Sequence, residues 1–466
     1  MSRFRTEWRD CKEWSNFGLP MSTTNNEACK LYDASLSQYV GWYDDPSLGG
    51  LEPTLKKMLD ADPDFVMGHA MSIGLDLMAT GHTMNLDAEF GLEIYNMAAL
   101  AEKQKITERE KKHVLAVKLC AEGEMSRAAV VWENILMDHP LDLLALKFCH
   151  DSYFYLGYQP QMRDSVARVL PHWKPTMPLY GYLLGMHSFG LEETNLYEQA
   201  EKTARKSLEI NPSDAWATHT MAHVMEMMGR QDEGISFMKG TVNDWAGCGM
   251  LACHNFWHLA LYSIEKGKYE DALAIFDSEV SPRATKSGAM LDIVDLCSML
   301  WRFEMEGVNV EDRWQATFET CRPHLHDHIM AFNDIHFLMA CLGAKKTDAT
   351  AEMMNSLKDF VRNGRGTNKC VTAEVGQPLC ESFALYSAGD YAKAVDTLYP
   401  LRYQVIKIGG SNAQRDIFNQ FLIHACLKSP LKEHNNIGRV MLMERKALKS
   451  CAPLTDRLIL KAMAVH

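Results

Sequence analysis

The chain has 466 residues, 47% of them apolar and 23% charged, the balance of a globular protein with room for one large domain or several ordinary ones. Its 48 basic and 60 acidic side chains leave a net charge of −12, which argues against the basic surface that a nucleic-acid or anionic-membrane binder needs. No window carries the roughly 18 uninterrupted apolar residues of a membrane helix, and thirteen cysteines without a regular framework read as reduced thiols.

Met1–Asp10 mixes charges of both signs and has no apolar core, so no secretory leader is expected and the cytoplasm is the expected location. A loop follows at Leu19-Pro-Met-Ser-Thr-Thr-Asn-Asn, then a capped helix from about Glu27 to Trp42. Leu51–Ala79 reads as a helical pair broken at Asp62-Pro63, because proline cannot continue a helix. Residues 91–122 are amphipathic and helix-rich.

A repeat then emerges. Gly123-Glu-Met-Ser-Arg-Ala128, Asn195-Leu-Tyr-Glu-Gln-Ala200 and Gly267-Lys-Tyr-Glu-Asp-Ala272 stand 72 residues apart, as do Pro140 and Pro212. Half that interval is about 36, near the ~34-residue period of tetratricopeptide repeats. Gly229-Arg-Gln-Asp-Glu-Gly234 marks a midpoint, and Gly389-Asp-Tyr-Ala-Lys-Ala394 is a further copy. The small Ala allows close helix approach, the Gly accepts φ > 0 in the turn, and the Pro ends the second helix. The preceding helices carry softened packing slots at Leu146, Cys149, His150 and Tyr153, at Thr218, Met221, Ala222 and Met225, and at Phe256, Leu259, Ala260 and Ser263.

Beyond about residue 280 the helical periodicity continues, while the repeat signature blurs from Leu291 to Met354. Asn363–Asn368 reads as a loop, helices resume from about Pro378, and Leu401–Ile408 suits strand and helix equally. Gly409–Asp416 is a turn leading into a helix that starts with Asn412, Gln414, Arg415 and Asp416; such a start with Arg415 can hold an anion, and a capping turn with an Arg–Asp structural pair is the simpler reading. The expected fold is all-α: one continuous tetratricopeptide-like α-solenoid over residues 1–466, a right-handed superhelix of antiparallel helix pairs. Residues 1–50 would be the N-terminal cap, 51–290 the clearest repeats, 291–377 divergent pairs, and 378–466 the C-terminal repeats and cap.

More specific wording lies in Asn26-Glu-Ala-Cys-Lys-Leu-Tyr-Asp33, Asp64-Phe-Val-Met-Gly-His-Ala70 and His150-Asp-Ser-Tyr-Phe-Tyr-Leu-Gly-Tyr158. It continues in Met250-Leu-Ala-Cys-His-Asn-Phe-Trp-His258 and Gly409-Gly-Ser-Asn-Ala-Gln-Arg-Asp-Ile-Phe-Asn-Gln420. Across essentially its whole length the chain resembles the tetratricopeptide repeat protein 38 family. The resemblance implies a cytosolic α-helical repeat protein and brings no activity with it.

His219, His223 and Glu226 recur at i, i+4 and i+7, on one helical face, and His254 and His258 repeat the i, i+4 pair on the next first helix. By the family geometry that face lines the concave groove, so the five side chains should share one concave surface. Asp151, Tyr155, Tyr182, Phe189 and Glu192 fall in the same register on earlier helices, and Arg415 joins if the superhelix curls back. Three readings stay open: a metal site, since paired imidazoles with a carboxylate suit zinc; a groove that hydrogen-bonds a peptide segment or small ligand; and packed histidines without a ligand. The first two divide the function between an interaction scaffold and an enzyme, metal-dependent or otherwise. No H-E-x-x-H, P-loop, G-x-S-x-G or C-x-x-C motif occurs, so no cofactor is called for. Trp257 reads as core. His324, His326 and His328 read as an exposed helix start, and neither nucleic acid nor membrane is an expected partner.

Overall fold

The computed structural model describes residues 5–464. Every regular element is a helix, and no strand occurs among the described residues. The chain gathers into two compact units: residues up to Thr220 with Asn243–Ala252 form the first, and Met221–Val242 with the residues from Cys253 onward form the second. No helix of the described residues is long and apolar enough to cross a membrane.

The local reasons for these helices are visible at their ends. Asn25 caps the Asn26–Gly41 helix by accepting from Ala28 N, and the expected break at Asp62-Pro63 separates Leu51–Ala61 from Val66–Met78. Ala128, Ala200 and Ala272 are fully buried at matching places on Met125–Asp138, Tyr197–Ile210 and Tyr269–Ile275. Five residues before each of them the backbone turns left-handed, with φ 85° at Gly123, 63° at Asn195 and 70° at Gly267.

The following residue closes each turn by donating its N–H to the carbonyl five positions back, a Schellman closure. The same bond, 2.8–2.9 Å long, runs from Glu124 to Leu119, Tyr158 to Tyr153, Leu196 to Leu191, Arg230 to Met225 and Lys268 to Ser263. It recurs from Val308 to Phe303, Lys346 to Cys341 and Asp390 to Leu385. A helix–turn–helix unit thus repeats every 34 to 44 residues through both units, including the stretch after Leu291 where the sequence signature blurs.

The two helices of each repeat differ in burial. In the first unit Leu143–Leu156 buries nearly every side chain, whereas Tyr197–Ile210 buries only Ala200, Ala204 and Ser207. In the second unit Met290–Met305 and Ala331–Gly343 are buried almost throughout, and Thr347–Asn363 buries only Met353 and Leu357. A polar residue on one of the enclosed helices is therefore held inside the protein, where it must find polar partners.

Two expectations change here. Leu401–Ile408 is neither strand nor α-helix but lies among short 3₁₀ turns, Tyr399–Leu401 and Val405–Ile408. The loop expected at Asn363–Asn368 is shorter, because a helix restarts at Gly366 and runs through a π-turn at Thr372–Gly376 into Gln377–Ser387.

Candidate functional site

The histidines singled out above sit on enclosed helices, Ala215–Met227 and Met250–Glu265. Residues 221–227 of the former and 253–265 of the latter belong to the second unit. There His223, His254 and His258 each bring a ring nitrogen within 4.8 Å of the others. Ring centroids lie 4.3 Å apart for His223 and His258 and 4.8 Å apart for His254 and His258. All three side chains are within 2% of full burial. They are interior groups, not the wall of an open concave surface.

Two carboxylates orient this cluster. His254 Nδ1 lies 2.7 Å from Asp295 Oδ2, a residue of Met290–Met305, and His258 Nδ1 lies 3.3 Å from Glu226 Oε2, one turn after His223. With Nδ1–H given to an acid, Nε2 of each ring is the atom left as a base. Burial, reinforced by the neighbouring imidazoles, holds His223 and His258 well below the usual histidine range, so both rings are neutral. Burial likewise raises the Glu226 carboxyl, against the opposing fields of Lys449, Arg302 and Arg445.

Trp257 stacks on His254 at 5.0 Å with ring planes 13° apart, and its indole N–H donates to Ser298 Oγ at 3.1 Å. It is fully buried, as expected of a core residue. The Arg302 guanidinium lies 5.2 Å from the Trp257 ring centroid and donates to the Ala413 carbonyl at 2.9 Å. Arg415 also belongs to this unit. Its field reaches His223, but its side chain is held by the Gly409 and Gly410 carbonyls and by Asn412 Oδ1. Asp416 pairs with Arg445. The turn before it is the expected cap, with Ser411 and Gln414 forming a capping box.

His219 lies one turn before His223 on the same continuous helix and is grouped with the first unit. It packs on Phe189 at 4.9 Å and Trp216 at 5.8 Å between ring centroids. Asp151 belongs to a second polar centre in that unit. Its carboxylate takes both oxygens to Lys147 Nζ, at 2.5 and 2.6 Å, and accepts from Tyr39 Oη at 2.5 Å. The Lys147 ammonium, itself fully buried, is boxed by Tyr39, Trp42 and Trp216 at 4.7, 5.0 and 4.9 Å from the ring centroids. Burial lowers its pKa against the opposing field of Asp151. Tyr182 is half-buried beside Gly41, where an added Cβ would come 2.8 Å from its hydroxyl. Glu192 is fully buried near the end of Tyr180–Glu193, and Tyr155 donates to the Met78 carbonyl at 2.7 Å.

Sequence reasoning reached the imidazoles and Glu226 but missed Asp295 and Lys147. Asp295 lies 41 residues from His254, in the blurred stretch, with no local signal. Lys147 did have one, its i, i+4 spacing from Asp151. His328 is the clearest misplacement: it is buried at a left-handed turn, with Nδ1 3.0 Å from Asp334 and Nε2 2.8 Å from Ser356, not exposed at a helix start. No protein-family model matches the chain.

Proposed function

We propose that this chain is a tetratricopeptide-type repeat protein of the tetratricopeptide repeat protein 38 family, wound as a right-handed superhelix, that binds a small ligand inside its fold. One observation carries the choice: His223, His254 and His258 bring their donor nitrogens together at 2% exposure or less. A peptide-binding scaffold works through side chains open along a groove. A buried, convergent set of imidazoles braced by carboxylates suits an ion or a molecule of a few heavy atoms, as enzyme and small-ligand sites do. That favours the enzyme class over the scaffold class, with the cytoplasm as the working compartment.

The scaffold reading keeps one observation. Leu92 and Tyr95, adjacent on one face of the Ala88–Lys103 helix, are 58% and 69% exposed. A partner protein would cover them. Native mass spectrometry of the full chain, run beside affinity capture, separates the readings. A stoichiometric ion or small mass released on denaturation supports the small-ligand function. A stable protein partner, with no small species retained and none bound on adding metal ions or a metabolite extract, overturns it.

A further inference from the structure

We propose that His223, His254 and His258 bind one divalent transition-metal ion of the zinc class. This deepens the small-ligand reading and rests on it. The first argument is distance. Zinc–imidazole bonds of about 2.0–2.1 Å place tetrahedral nitrogens roughly 3.3 Å apart. The donors here already lie within 4.8 Å, so side-chain shifts of about an ångström complete the shell. His254 and His258 stand at i and i+4 on Met250–Glu265, so one rigid element fixes their spacing.

The second argument is the shell behind the ligands. A metal-bound histidine almost always donates its other N–H to a carboxylate, carbonyl or water, which sets the tautomer and aims the ligating nitrogen. Asp295 does this for His254 and Glu226 for His258, each from a different helix and each on Nδ1. Both rings therefore present Nε2. Packed histidines without a ligand would not require two acids to be brought inside for the same atom of each ring. The two acidic side chains also make this interior a better place for a cation than a purely apolar one would be.

The third argument is chemical class. Three imidazole donors select zinc, cobalt, nickel or copper over magnesium and calcium, which want oxygen ligands. Arg302 opposes a cation, and its guanidinium is turned to the Ala413 and Ser298 carbonyls and the face of Trp257. Stacking of Trp257 on His254 makes the metal-facing wall rigid and dry.

Full-length protein is stripped with a chelator and titrated with cobalt(II) while visible absorption is followed. The expected result is one equivalent per chain with the intense bands of a four-coordinate site. His258→Ala and His254→Ala should abolish it, and Asp295→Asn should weaken it by 10–100-fold. The partly exposed His69→Ala is the control and should bind as the wild type does, and circular dichroism confirms that each variant is helical. Folded wild-type protein that takes up no cobalt, or a titration unchanged in a His223→Ala/His254→Ala/His258→Ala variant, overturns the metal assignment. In that event native mass spectrometry decides the broader reading: an organic mass lost in His258→Ala leaves it standing, and no retained or added small species removes it as well.

Discussion

Asn195 and Gly267, 72 residues apart, hold the same left-handed turn, at φ 63° and 70°, and the residue after each makes the same bond to the carbonyl five back. The turn is thus a property of the repeat, and its tolerance of side chains can be ranked. Gly229 shares the conformation at φ 71°, but a Cβ there would come 2.5 Å from the Cys451 carbonyl oxygen, whereas at Gly267 it meets nothing nearer than 3.4 Å. Gly267→Ala should cost about 1–2 kcal/mol, the strain of the left-handed region alone. Gly229→Ala should cost clearly more, since backbone must move. Asn195→Gly should be near neutral, relief of strain being offset by the freer unfolded chain. Urea midpoints measured on the three variants test the order.

The same positions show what the sequence could and could not reveal. Glycine made the turns at 123, 229, 267 and 389 readable, while Asn195 and Lys345 adopt the left-handed conformation without it. After Leu291 the turn at Lys345 carries no glycine to mark it, yet the closing bond from Lys346 persists. Helical spacing put His223 and Glu226, or His254 and His258, on one face. It could not supply Asp295, whose pairing with His254 is set by how two helices pack. Nor could it tell an open groove from an enclosed helix, since both need apolar neighbours and differ only in what covers them.

The Lys147–Asp151 pair should behave as a buried ion pair whose halves are worth less apart than together. Both are within 6% of full burial. Lys147→Met alone strands the carboxylate, and Asp151→Leu alone strands the ammonium, each at about 3–5 kcal/mol. The double variant, with neither charge left inside, should recover most of that loss. Equal and additive losses in a double-mutant cycle would show that the two side chains do not act as a unit.

His336 should pull stability down toward acid, beside the other buried neutral histidines, and Asp214 should pull it down toward neutral pH. Burial pushes His336 down to about 3, although its ring Nδ1 lies 2.7 Å from the Phe332 carbonyl. Below about pH 6.5 the unfolded chain takes up a proton that the folded one refuses, so stability drops by about 1.4 kcal/mol per pH unit until the folded value is reached. His336→Asn should flatten this limb. Asp214 has the opposite sign: burial lifts it to about 7 despite bonds from Ser207 and the N–H groups of Trp216 and Ala217. Its contribution is present below about pH 3.8 and lost as pH rises through about 7. Asp214→Asn keeps the capping acceptor, so it should gain on the wild type between pH 4 and pH 8. Parallel denaturation curves at those two pH values would refute the assignment of Asp214.

Zinc should raise the melting temperature of the stripped protein, and magnesium should not. Binding to the folded state adds RT ln(1 + [L]/Kd), about 2.7 kcal/mol at one hundred times Kd. An oxygen-seeking ion gains little from imidazole donors, so magnesium is the internal control. The shift should vanish in His254→Ala and His258→Ala, because each removes a ligand held by its own carboxylate, from Asp295 and Glu226 respectively. It should survive His336→Asn, since that ring sits on a different enclosed helix, Ala331–Gly343, bonded to its own backbone. Asp295→Asn is the discriminating variant. If the acid only fills space, its amide replacement leaves the zinc-dependent rise in Tm unchanged; if it aims Nε2 of His254 at the ion, the zinc concentration giving half the maximal shift rises 10–100-fold. An equal rise with magnesium, or a zinc shift retained in His258→Ala, would place the bound ion elsewhere.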